Sequence, residues 1–122
     1  MLGRRAVVKV ADNSGAKNLV IIGLGRGLSN RYARLGEIAT CVVSGANPNG
    51  QVKDHQIVKA LIVRTKKETK RTDGSYIRFS DNAAVICDEK GNPVGTRVFG
   101  PVAKELKEKK FNKIVSQAKE VI

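Results

Sequence analysis

The chain has 122 residues, 23 of them Lys or Arg and 11 Asp or Glu, for a formal net charge of +12 and an isoelectric point near 10.1. A basic excess of that size implies a polyanionic partner, nucleic acid first and an acidic membrane surface second. The apolar share of 41% is enough for one modest core in one domain and excludes a disordered basic tail, which cannot bury enough apolar surface to offset chain entropy.

Residues 1–10 carry Arg4, Arg5 and Lys9 where a secretory leader would need a continuous apolar stretch, so none is expected. No apolar run approaches the length that spans a bilayer. Residues 5–10 are short, β-branched and mixed in polarity, which predicts a strand with one face on a core. Asp12-Asn13-Ser14-Gly15 stops it. The order is not that of an aspartic protease, no second such element supplies a partner acid, and these residue types bond their own backbone, so a turn is expected. Residues 19–22 predict the next strand.

Residues 23–32 are glycine-rich and basic. Gly23, Gly25 and Gly27 follow a G-x-G-x-G spacing, not the G-x-G-x-x-G of a dinucleotide site, and no Gly-Lys-Ser/Thr comes after. The stretch is read as a loop offering Arg26, Arg31 and Arg34 to RNA phosphates. Residues 37–44 and 56–63 predict two more strands, with punctuation at 45–50 and a lead-in at 51–55. His55 has no nucleophile or carboxylate motif around it and is expected at the surface. Cys41 and Cys87, each in an apolar β-prone run and without C-x-x-C spacing, are expected as small buried hydrophobes in a reducing compartment. Short strands at near-regular spacing predict a small barrel or sandwich, a closed barrel being attractive because it removes exposed edges.

The chain is organised around residues 60–86. Two β-prone runs flank Arg64, Lys66, Lys67, Lys70 and Arg71, opposed only by Glu68, and Asp73-Gly74 between such runs signals a hairpin turn. The cations are thus expected on an ordered ribbon. Arg64, Lys66, Lys67, Lys70, Arg71 and Arg78 are expected to neutralise phosphates with release of counterions, reading the shape of a folded RNA more than its sequence. After residue 87 come a turn at 88–93 and a short extended piece at 95–100. Pro101 is read as opening a helix that places Val102 and Leu106 on one face, and Phe111, Ile114, Val115 and Ala118 continue that period in a second short helix. These stripes are expected to pack on the barrel, leaving Lys109, Lys110, Lys113 and Lys119 for a partner.

Two alternatives stand beside an RNA-binding structural protein. A freestanding single-strand-binding module of the OB type is also a small basic barrel, but it stacks bases on aromatic platforms, and aromatic residues make up 4% of this chain with no Trp. An enzyme would need an acid paired with a base, or a nucleophile with its base, and the sequence shows no such constellation.

Ala60-Leu61-Ile62-Val63, Asp73-Gly74, Phe79, Asn82 and Val85-Ile86, at the spacing they have here, resemble the signature of the universal large-subunit ribosomal protein fourteen family, in its bacterial or organellar style. The likeness extends over nearly the whole chain, through the stretches 10–17, 31–33, 58–60, 63–66, 95–103, 113–116 and 120–122. Departures from the usual pattern fall at residues 1–5, 51–56 and 116–119. The resemblance implies a mainly β fold over 1–122 as a single domain: a five-stranded β-barrel core at 1–87 that includes the projecting ribbon 60–86, then a C-terminal loop and short-helix region at 88–122. It implies a non-enzymatic constituent of the large ribosomal subunit that binds large-subunit rRNA, with Lys17, Arg31 and Lys59 joining the ribbon cations. It also implies contacts with large-subunit proteins three and nineteen and with small-subunit rRNA at intersubunit bridges. A ribosome silencing factor is expected to dock on Thr96 and Arg97, with Lys113 close by. No cofactor, metal, membrane or small-molecule substrate is implied, and the expected location is a bacterial ribosome, or alternatively that of a plastid or mitochondrion.

Overall fold

The computed structural model describes residues 2–24, 32–108 and 111–122. Five strands, β1 (Val7–Val10), β2 (Ala16–Gly23), β3 (Ile38–Ala46), β4 (Ile57–Arg64) and β7 (Ala83–Cys87), close into a barrel in that order. All neighbours are antiparallel except β7 and β1, which pair in parallel through Lys9 with Ala83 and Val10 with Ala84. The ribbon is β5 (Thr69–Lys70) against β6 (Tyr76–Ile77), inserted between β4 and β7. Beyond the barrel lie β8 (Val98–Val102), α1 (Glu105–Glu108), α2 (Asn112–Gln117) and β9 (Ala118–Val121).

The strand period of two sorts the side chains. Val8, Leu19, Ile21, Ala39, Cys41, Val43, Ala60, Ile62, Ala84 and Ile86 point inward and fill the barrel, joined by Val52 from the lead-in to β4. The alternate residues of β4 and β7, Leu61, Val63, Ala83, Val85 and Cys87, point outward and are covered by Val98, Val102, Leu106 and Ile114. The C-terminal region is therefore a second layer over one side of the barrel. A third cluster, Leu35, Ile77 and Ala103 with Phe79 against it, lies at the ribbon.

The C-terminal region corrects the sequence expectation. Pro101 does not open a helix; it lies in β8, beside an irregularity in the β8–β9 register, where a missing N–H is tolerated. Val102 is fully buried as expected, but on a strand, and only Leu106 belongs to α1. Ala118 likewise leaves α2 and starts β9, which pairs in parallel with β8 through Val98 with Ala118, Pro101 with Glu120 and Val102 with Val121. Ala118-Lys119-Glu120-Val121 has no β-prone run of its own, and tertiary pairing decides its conformation.

Candidate nucleic-acid interface

The ribbon grows out of the barrel where β4 ends. Thr65 is buried, its hydroxyl donates to the Lys67 carbonyl at 2.9 Å, and its own carbonyl accepts from Phe79 N–H at 2.9 Å. The Asn82 side chain accepts from Lys66 N–H at 2.8 Å. At the tip Asp73-Gly74 turns as expected: Gly74 has φ +89, a conformation glycine adopts without strain, and Asp73 accepts from both the N–H and the hydroxyl of Ser75. Those bonds, the Ser75 hydroxyl foremost, hold the Asp73 carboxyl below its usual range.

On this frame Lys66, Lys67, Lys70 and Arg78 are exposed. Lys66 and Arg78, with Phe79 and Ser80, line an open hollow of about 510 Å³. Lys67 meets Glu68 at 3.6 Å across an exposed pair, which is worth little and leaves the ammonium free to exchange partners.

Two ribbon cations lie elsewhere. Arg64 is buried, with its guanidinium 3.1 Å from Asp81 and donating to the carbonyls of Phe99 at 3.1 Å and Pro101 at 3.4 Å. It joins β4 to β8, and a Cβ on Gly100, whose φ is +78, would collide with it. Arg71 pairs with Glu105 at 2.6 Å, both side chains largely buried, and also donates to the main-chain oxygen of Ile122. It ties the ribbon to α1 and to the end of β9. The anions that Arg64 and Arg71 meet are internal.

Asp12-Asn13-Ser14-Gly15 is more than a turn. The Asp12 carboxylate, inside the protein, accepts from Ser14 N–H, the Ser14 hydroxyl and Ile86 N–H, tying the end of β1 to β7. Burial pushes its pKa up while those bonds pull against the shift. Asn13 shapes the loop before β8: its Oδ1 accepts from the N–H of Thr96 at 2.8 Å and of Arg97 at 3.1 Å, and its amide donates to the Thr96 hydroxyl at 2.9 Å. Ser14 and Gly15 carbonyls accept from Gln51 and Asn47 N–H groups, anchoring the β3–β4 loop.

Thr96 and Arg97 are exposed, and the Arg97 guanidinium lies 5.2 Å from the Phe99 ring centroid, a cation–π distance. Lys113 donates to the Asn92 side chain at 3.0 Å, and Gln117, one turn further along α2, donates to the Gly95 carbonyl at 3.3 Å. Thr96, Arg97 and Lys113 are thus on two segments that touch. Asn13, which orders this surface, carries no sequence signal of that role beyond being an Asx-type residue inside a matched stretch.

Of the remaining expected RNA contacts, Lys17 is exposed and Lys59 is half-buried, with its ammonium on the Thr40 hydroxyl at 2.6 Å. Arg31, Arg26, Lys109 and Lys110 lie outside the described residues, and Arg34 is exposed. His55 is at the surface, and Cys41 and Cys87 are buried free thiols that burial pushes up to about 12. Among the described residues no group of three or more His, Cys, Asp and Glu is placed to hold a metal, and no helix is long and apolar enough to cross a membrane. The family model described as Ribosomal protein L14p/L23e matches residues 1–122.

Proposed function

The chain belongs to the ribosomal protein L14p/L23e family, structural rRNA-binding proteins of the large ribosomal subunit, and from that membership we propose that it binds large-subunit rRNA through the outer face of its ribbon. The observation that carries this reading is the division of the ribbon cations: Lys66, Lys67, Lys70 and Arg78 are exposed on an ordered frame, while Arg64 and Arg71 are used to build that frame. Backbone held by Thr65 and Asn82 presents the charges with little ordering left to do, and each phosphate met releases condensed counterions. Lys17, Lys59 and Arg31 extend the RNA contact in this reading.

The surface of Thr96, Arg97 and Lys113 is the proposed dock for a ribosome silencing factor. Its support is the order that Asn13 and Gln117 impose on the loop before β8. Arg97→Glu is expected to weaken that binding in a pull-down while leaving the barrel folded; unchanged affinity removes the assignment. Bridges to small-subunit rRNA and contacts with large-subunit proteins three and nineteen complete the proposal, with a bacterial ribosome as the setting and a plastid or mitochondrial one as the alternative.

Sucrose-gradient fractionation of the native source at high salt, with blotting for this chain, tests the function. Retention in the large-subunit peak is expected. A chain found free, or on single-stranded nucleic acid, would instead support an independent OB-type binding module.

A further inference from the structure

The outer face of the barrel carries a second apolar row, away from the C-terminal layer. Val7 pairs with Val20, Val20 with Val42, and Val42 with Ile57, so four outward aliphatic side chains stand abreast across β1, β2, β3 and β4. Val7 is 60% exposed and Ile57 65%, with Val20 and Val42 half-buried between them. Ile22, next outward on β2, adds a further 44%-exposed side chain. Isolated surface hydrophobes need no explanation, but a contiguous patch marks an interaction site.

The borders of the row narrow the choice of occupant. Arg5 and Lys9 flank Val7 on either side along the chain, and Lys59 follows Ile57 on the same face. Asp54, three residues before Ile57 in the chain, is engaged by Gly45 N–H and by His55. A second copy brought face to face would set these cations against their own kind. RNA offers phosphates or stacking bases, and four aliphatic side chains are suited to neither. Strand spacing makes the row roughly 15 Å long, room for about five residues of extended chain.

We infer that the row Val7–Val20–Val42–Ile57 is a docking surface for an apolar protein segment flanked by Asp or Glu. The segment's apolar side chains cover the row and its acids meet the exposed Arg5 and Lys9. The inference rests on the proposed function in that the ribosome brings other proteins within reach of this face.

The test places the photo-crosslinker p-benzoylphenylalanine at Val42 and irradiates purified large subunits containing the chain. The expected product joins position 42 to a polypeptide whose crosslinked peptide has apolar residues bordered by Asp or Glu. Adding Ile57→Asp is expected to lower that yield about tenfold, the scale of one buried aliphatic side chain. The thermal midpoint of the free Ile57→Asp chain should stay unchanged. Crosslinks to rRNA, to a second copy or to a peptide lacking acids, or no crosslink at all, overturn the inference. A chain absent from the large subunit overturns the proposed function and this inference together; a chain present there without the crosslink overturns this inference alone.

Discussion

Two sides of one barrel face outward with apolar rows, and among the described residues only one of them is covered by other parts of the chain. On the covered side Ile38, Leu61 and Val85 pair across β3, β4 and β7, and Val98, Val102, Leu106 and Ile114 lie over that region. On the other side Val7, Val20, Val42 and Ile57 stand in the same kind of row and remain partly or largely exposed. Thr40 and Lys59, paired across β3 and β4, separate the two. The same strand chemistry thus serves internal stability on one side and an external contact on the other. Which use a row has depends on whether the chain returns to cover it, and here the return is held by apolar packing together with Arg64 and Arg71, which bind β8, α1 and β9 to the barrel and ribbon.

Breaking the covered side should have the largest effect. Arg64→Ala removes the partner of Asp81 and of two main-chain carbonyls, and a cost of about 3–5 kcal/mol is expected in urea unfolding. A loss below about 1 kcal/mol would mean the guanidinium is not what joins β4 to β8. Leu61→Ala opens a cavity beneath the C-terminal layer and should cost about 2–5 kcal/mol. Ile57→Ala, on the same strand and the same outward face but largely exposed, should change stability by no more than about 0.5 kcal/mol. Equal losses at Leu61 and Ile57 would erase the distinction between the two sides.

The barrel's strands were legible because their evidence is local, whereas closure into five strands came from the family resemblance, since the β1–β7 pairing joins residues more than 70 apart. Alternating β-branched residues announce each strand within four to nine residues, and Asp73-Gly74 announces the ribbon turn. Which cations pair internally was not legible, since Arg64 and Arg71 look like Lys66 and Lys70 until their partners are known. Those partners lie 17 residues away for Asp81 and 34 for Glu105, separations with no local signal. Pro101 misled for a related reason: its fixed φ suits a first helical turn as well as a short strand, and only the pairing of Pro101 with Glu120 decides between them. Asn13 belonged to a stretch matched by resemblance, yet its role depends on a loop 83 residues later.

In the proposed function the exposed ribbon cations meet RNA while the internal ones do not. Salt titration of binding to a large-subunit rRNA fragment tests it most directly, comparing the natural chain with a variant in which Lys66, Lys67, Lys70 and Arg78 are all changed to Gln. The variant should fold normally, and the slope of log K against log salt should be smaller by about 3, near 0.7–0.9 for each phosphate no longer neutralised. A slope unchanged by removing those four charges would contradict the claim and move the RNA surface elsewhere on the barrel.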